Sequence, residues 1–368
     1  MRALRFLAVL LGLVSVSALA AERWQLQYFH DEDDSTLAIT GLEFADAERG
    51  IAVGAYIDRR GKAKPAGLVT TDGGRTWSPV RLPELPLSLF LLDERTVWLV
   101  TNGRLWVSTE LGREWRSLAR LRDVGRVYFL DEKRGFAVGA RKSAYQTSDG
   151  GKTWTKLAAA DEPNTTRDYT VYSAIAFATP KQGMIVGWSK PPRKEPEPEV
   201  PDWLDPSARR RELPGMMIVL ETRDGGATWS VSQSSMFGRV SCVRLRPDGV
   251  GLGLIEFLDA FDWPSEVIRI DWRTGKSTRA FRDQRRIVTD IAMPPGGPAY
   301  LAAIEPPGAL ARSPIPGKLK ILRSENLVDW TEMPVDYRAV GTSAVLAAAQ
   351  GRLWAGTSHG MILKLVSE

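Results

Sequence analysis

Apolar positions along this chain come in short β-prone runs broken by clusters of Gly, Asp, Asn and Pro, and a helical stripe is nearly absent. Three of the runs share a frame. Phe44 leads to Gly50-Ile51-Ala52-Val53-Gly54, Phe129 to Gly135-Phe136-Ala137-Val138-Gly139, and Phe177 to Gly183-Met184-Ile185-Val186-Gly187. Runs of this kind, bounded by turn residues and repeated along the chain, predict an all-β fold.

An octapeptide recurs behind the frame. Thr70-Thr71-Asp72-Gly73-Gly74-Arg75-Thr76-Trp77 returns as Thr147-Ser148-Asp149-Gly150-Gly151-Lys152-Thr153-Trp154 and as Thr222-Arg223-Asp224-Gly225-Gly226-Ala227-Thr228-Trp229. A weaker copy runs from Ser108 through Glu110 and Gly112 to Trp115, and a shortened one from Ser324 through Asn326 to Trp330. Asp-Gly-Gly supplies positive φ without steric cost, and the Asp carboxylate can accept hydrogen bonds from amides of its own turn. The leading Ser or Thr bonds locally, and the Trp is expected to plug its ring between neighbouring sheets. Asp72, Gly74, Trp77, Glu110, Trp115, Asp149, Gly151, Trp154, Asp224, Gly226 and Trp229 are therefore expected to be structural.

In these octapeptides the chain resembles the Asp-box, or bacterial neuraminidase repeat, superfamily, where the box joins the third and fourth strands of a propeller blade. The pairing of box and Phe–Gly hairpin resembles the photosystem II assembly-factor family and its bacterial relatives, most specifically in blades one, three and four. The resemblance implies a rigid ring that binds a protein partner, with a membrane protein or an envelope complex under assembly as the expected partner.

Spacing counts the blades. Asp72 to Glu110 is 38 residues and Glu110 to Asp149 is 39, so one blade needs about that much chain. Asp149 to Asp224 is 75, one blade with insertions, and the 102 residues from Asp224 to Asn326 fit two blades. The first of these two has lost its box and kept Asp271 to Lys276 as the turn. A last unit from Ala344 offers only three strands, and Trp24 to Phe29 looks like the missing fourth, with Trp24 in the place of a box tryptophan. The expected fold is a seven-bladed β-propeller closed by its N-terminal strand. Six blades remain the alternative if 240–282 is not a full blade.

Residues 1–20 read as a signal peptide: Arg2 and Arg5, an apolar stretch from Phe6, and Ala18-Leu19-Ala20 as the cleavage pattern. Cleavage near Ala20 would leave 21–368 as a single periplasmic or secreted domain, with no transmembrane segment. Loss of those two arginines leaves 47 basic against 44 acidic side chains, a balance that does not imply nucleic acid. Two histidines and one cysteine, Cys242, argue against a metal site, and no cofactor is expected. A closed ring has no intrinsic need to dimerise, so a monomer is expected.

Function is expected on the face opposite the boxes, where the long loops fall. Residues 56–66 carry Arg59, Arg60, Lys62 and Lys64. Residues 189–214 form a Pro- and charge-rich insertion with Trp203, Arg209, Arg210 and Arg211, and 305–318 adds Arg312. Arg59, Arg60, Lys62, Trp203, Arg209, Arg210, Arg211 and Arg312 are the candidate partner-binding residues. A sialidase-like glycoside hydrolase is the alternative, with Tyr169, Tyr172, Asp259 and Asp262 at plausible positions. The Phe/Tyr-Arg-Ile-Pro signature of such enzymes is absent after the N-terminal strand, so no catalytic residue is assigned.

Overall fold

A computed structural model describes residues 22–191, 211–258, 261–308 and 315–367. The signal-peptide reading of 1–20 lies outside the described residues. Strand β1 (Glu22–Phe29) opens the described chain and is followed by blade 1: β2 (Ser35–Phe44), β3 (Gly50–Asp58), β4 (Ala63–Thr70) and β5 (Ser78–Val80). Blade 2 is β6 (Ser88–Leu91), β7 (Val97–Thr101), β8 (Arg104–Ser108) and β9 (Arg116–Arg120). Blade 3 is β10 (Val124–Phe129), β11 (Gly135–Gly139), β12 (Ala144–Thr147) and the very short β13 (Thr155–Lys156). Blade 4 is β14 (Thr170–Phe177), β15 (Gly183–Ser189), β16 (Gly215–Thr222) and β17 (Ser230–Met236).

Blade 5 is β18 (Arg239–Leu245), β19 (Val250–Glu256), β20 (Ser265–Asp271) and β21 (Lys276–Arg282), so 240–282 is a full blade and the six-blade alternative falls. Blade 6 is β22 (Ile287–Ala292), β23 (Ala299–Glu305), β24 (Gly317–Ser324) and β25 (Thr331–Met333), with β26 (Val340–Gly341) continuing along β24. Blade 7 is β27 (Ala344–Ala349), β28 (Arg352–Thr357) and β29 (Met361–Ser367), and β1 pairs antiparallel with β29 as its outermost strand. The described residues thus form a seven-bladed propeller closed by the N-terminal strand.

The apolar core is divided into seven layers, one between each pair of adjacent blades. Ile51 and Val53 of blade 1 pack with Leu89, Val97 and Leu99 of blade 2, and the same arrangement repeats around the ring to Ile362 of blade 7 against Leu37 of blade 1. The inner strands of each sheet are covered on both faces, which explains why the second strands of blades 2 and 3 are buried at every position.

The recurring Phe and glycines have a steric origin. A Cβ on Gly50 would stand 2.6 Å from the Phe44 ring, and one on Gly54 would stand 1.9 Å from the Ala38 carbonyl oxygen. The second contact arises because β2 carries a bulge between Ile39 and Gly41, opposite Gly54. Phe44 then stacks at 3.6 Å on Trp354 of blade 7 and meets the box tryptophan Trp77 edge-on at 5.9 Å. Phe129 repeats this with Trp98 and Trp154, and Phe177 with Phe136 and Trp229.

Trp354 also joins the two ends of the chain. Its Nε1 donates to the Gly73 carbonyl at 3.1 Å, and Lys364 Nζ donates to the same oxygen at 2.8 Å. Trp354 is completely buried. Trp354→Ala is expected to cost about 3–5 kcal/mol in urea unfolding, the range for a large aromatic emptied from a core. A loss under about 1 kcal/mol would show that the last blade is not held through this contact.

Candidate functional site

The box face is built from satisfied turns. In the first box the Thr70 hydroxyl donates to Asp72 Oδ1 at 2.9 Å and accepts the Gly74 amide at 2.9 Å, while Asp72 accepts the amide and hydroxyl of Thr76. Asp149 and Asp224 repeat the pattern with Thr153 and Thr228. Hydrogen bonds from the Thr228 hydroxyl and amide bring the Asp224 carboxyl down to about 2. At Asp72 partial desolvation opposes ionisation, yet the bonds from Thr76 and Thr70 still bring it to about 2. Each box also docks on the loop between first and second strands, as in Gly73 N–H to the Glu48 carbonyl at 2.7 Å. Glu110 and Trp115 occupy the equivalent turn of blade 2, where Leu111 takes the positive φ that glycine supplies elsewhere.

On the opposite face, residues 56–66 differ from the expected loop. They form the tip of an extended hairpin, with Ile57 opposite Ala63 and only 59–62 in the turn. The run is β-prone up to Asp58, whose carboxylate accepts the amides of Arg60 and Lys62 and tightens the turn. Arg59 is engaged, donating to the Asp33 carbonyl and pairing with Asp34 at 3.1 Å. Arg60 and Lys62 are exposed, with no side-chain partner among the described residues. Arg211 is exposed at the root of the 189–214 insertion in blade 4. Beside it Lys190 pairs with the buried Glu212, whose other oxygen accepts the Leu258 amide of blade 5 at 3.0 Å. Trp203, Arg209, Arg210 and Arg312 lie outside the described residues. Blades 1 and 4 stand as far apart as the ring allows, so the structure does not gather Arg59, Arg60, Lys62 and Arg211 into one site.

It gathers a different set. A groove of about 730 Å³ runs down the outer wall between blades 2 and 3, lined by Arg120, Arg122, Arg141, Lys152 and Arg167. Asp123 is its one lining carboxylate, and Tyr145 and Trp154 form an aromatic floor. Strand β13 is only two residues long, pairing with Tyr145 and Gln146 of β12. Arg141 pairs with Asp168 at 3.1 Å, whereas the side chains of Arg120, Arg122 and Lys152 have no ion-pair or hydrogen-bond partner among the described residues. Asp123, Arg141 and Lys142 have φ of 62°, 58° and 57°, three of the six non-glycine positive-φ residues described. Backbone held there costs on the order of 1 kcal/mol per residue. Lys142 Nζ, buried, donates to the Pro163 carbonyl at 2.7 Å and fixes the loop that carries Arg167.

The central channel is the second polar concavity. Its larger part, about 350 Å³, is lined by Glu43, Phe90, Tyr128 and Arg244, and a second part of about 160 Å³ by Ser88, Arg126, Cys242 and Asp290. Asp290 is saturated: it accepts the amides of Ile291 and Leu346 and pairs with Arg244 at 3.3 Å. Burial pushes the Cys242 thiol up, which leaves it a poor nucleophile. Among the described residues no His, Cys, Asp and Glu cluster is suited to a metal ion. Tyr172, a residue of the hydrolase alternative, is buried with its hydroxyl on the Ala160 carbonyl at 2.8 Å, and Tyr169 and Asp262 are exposed. Asp259 lies outside the described residues.

The BNR/Asp-box repeat family matches residues 68–79, the first box. The fold is similar to YCF48 bound to D1 peptide, with a TM-score of 0.61 and 15% identity over 96% of this chain and 98% of the other. YCF48 from Cyanidioschyzon merolae matches with 0.55 and 14%, over 93% and 98%. The WD40 β-propeller domain of Doa1 matches with 0.55 and 10%, over 94% and 97%. No curated protein matches the sequence. This chain folds as a seven-bladed β-propeller with Asp-box turns.

The polar sites of this Asp-box propeller escaped the sequence reading for different reasons. Arg120 and Arg122 are close in sequence and could have been flagged, but Arg141, Lys152 and Arg167 join them only through the stacking of blades 2 and 3. The channel residues lie on apolar-looking strands whose bulges decide what faces inward.

Glu43 gives the channel a measurable signature. Burial among the innermost strands pushes its carboxyl up to about 7, against the opposing pull of Arg244 and Arg126. A carboxyl that binds its proton more tightly when folded costs stability as pH rises from its ordinary 4.5 through about 7. Glu43→Gln lacks this loss. Relative to the wild type, it is expected to gain on the order of 1–3 kcal/mol between about pH 4.5 and pH 8 in urea unfolding. A gap that does not change with pH would place the carboxyl in water.

Proposed function

We propose that this propeller is an exported docking protein that grips an acidic segment of a protein partner in the groove between blades 2 and 3. The observation that carries the reading is a set of three unpartnered cations, Arg120, Arg122 and Lys152, over an aromatic floor. Charges of one sign converging on a concave, partly apolar wall favour an oppositely charged, extended ligand and steer its approach. The positive-φ residues at the rim support it, because such strain persists where the surroundings over-determine it and it concentrates at functional sites. The fold likeness to YCF48 bound to D1 peptide supports a peptide as the bound class. The signal-peptide-like pattern of residues 1–20 supports export, and a membrane or envelope protein under assembly is the partner we favour.

Catalysis has no support in the groove, which places a single carboxylate among its cations. Arg60, Lys62 and the 189–214 insertion would supply a secondary contact on the loop face.

A photo-crosslinking residue at Tyr145, and another at Arg60, would report the bound surface in cells. Tyr145 is expected to capture one envelope protein, and Arg120→Glu with Arg122→Glu to abolish the capture. With the captured acidic segment as a synthetic peptide, the double reversal is expected to weaken binding about tenfold or more. Wild-type affinity should also fall as salt rises from about 50 to 300 mM. Capture from Arg60 alone, unaffected by the reversal, would move the site to the loop face.

A further inference from the structure

Strand register sorts the channel wall into two levels. Glu43, Phe90, Tyr128 and Arg244 stand at one level, where blades 4, 6 and 7 contribute only Ala176, Ala292 and Ala347. Ser88, Arg126, Cys242 and Asp290 occupy the next level, towards the loop face. Arg126, Cys242 and Asp290 each share a strand face with the channel residue two positions on, and each directly follows a bulge, at Gly125, Ser241 and Thr289. Ala292 and Ala347, on adjacent blades, open an apolar sector, Ala176 stands apart from them beyond Arg244, and Phe90 and Tyr128, with ring centroids 5.0 Å apart, form an aromatic wall.

Charge in the channel is unevenly spent. Arg244 uses three donors, on Ile291, Val243 and Asp290, and two of its five N–H groups remain. The side chains of Arg126 and Glu43 make no hydrogen bond or ion pair among the described residues, although both line the same two cavities. Ser88 Oγ and Ser241 Oγ are buried beside them and make no hydrogen bond within the protein. One free cation, one free carboxylate and two free hydroxyls therefore border one cavity with an apolar, aromatic-walled sector. Its size suits a small molecule.

We infer that the channel is a binding site for a free α-amino acid with an apolar side chain. Its carboxylate is held by Arg126 with the Ser88 and Ser241 hydroxyls, and its ammonium by Glu43. Arg126 offers a planar fork that matches a carboxylate, and Glu43 offers the acceptor an ammonium needs. The side chain lies against Phe90, Tyr128 and the alanine sector. A ligand carrying only one of the two charges would leave the other protein charge unpaired, so both ends of the molecule are read. This site is separate from the outer groove, and neither depends on the other.

Isothermal titration calorimetry on the full chain tests it, with L-phenylalanine and L-leucine against N-acetyl-L-phenylalanine and L-phenylalaninamide. The free amino acids are expected to bind with millimolar or better affinity, about the range for a small ligand with two charged contacts. Blocking either end is expected to weaken binding about tenfold or more, and so are Glu43→Gln and Arg126→Gln. Ala347→Phe, which fills the apolar sector, is expected to abolish binding while leaving the outer groove intact. No binding by either amino acid at about 10 mM overturns the inference. So does equal binding of the blocked derivatives, or binding of N-acetylneuraminate in their place.

Discussion

A propeller blade has no core of its own, and that constraint governs the rest of this molecule. Each sheet is apolar on both faces and can hide them only against its two neighbours, so no blade is stable until the ring is whole. The tryptophan at the turn between third and fourth strands meets this need. Trp77, Trp115, Trp154, Trp229, Trp272 and Trp330 each pack against the preceding blade, and Trp24 does the same for the blade that contains both ends of the chain. The hydrogen-bonded Asp-box turn fixes where each ring enters the gap. Closure through β1 and β29 then makes the last layer no different from the others.

The fold was legible because the wedge leaves a local signature. A turn that needs positive φ at two consecutive positions selects Gly-Gly, and the Asp that accepts its amides follows from the same geometry. Even eroded copies kept the tryptophan: Leu111 and Leu327 adopt φ of 53° and 63° where glycine stands elsewhere, and the chain still turns there. Blade 5 kept less. Asp271 accepts the amides of Arg273 and Thr274, and Trp272 Nε1 bonds to the Arg246 carbonyl, so the turn survives with a different set of bonds.

The sites were less legible because they depend on register and on stacking. In a strand the inward set is fixed by period two, and one bulged residue exchanges the two faces. The bulges fall at Thr40, Gly125, Ser173, Ser241 and Thr289, small residues that carry no bulge signature of their own. Two of them have a role visible only in the assembled ring: the Ser173 hydroxyl donates to the Val240 carbonyl, and Thr289 to the Ala344 carbonyl, each in the next blade. The outer groove was hidden differently. Its arginines and Lys152 come from four segments of the chain, and net charge gave no hint of so local a concentration. Attention to loop length pointed to 189–214, whose described root is instead tied down by Glu212.

The distribution of satisfied and unsatisfied polar groups separates scaffold from function. On the box face the three intact boxes spend their carboxylates on turn amides and hydroxyls, and their acidity reflects it. Carboxylates so completely paired within their own turns have little left to offer a partner, since any new bond there must replace an existing one. In the groove and the channel the balance is reversed. Arg120, Arg122 and Lys152 outside, and Arg126 and Glu43 inside, have no ion-pair partner among the described residues. Three free cations on an open wall suit a multiply charged chain, where several weak, salt-sensitive contacts add up. One charge of each sign inside a cavity suits a single small molecule, where pairing at low dielectric gives each contact more weight. The same economy of polar groups thus assigns different kinds of ligand to the two places, with the ring serving as a rigid frame for both.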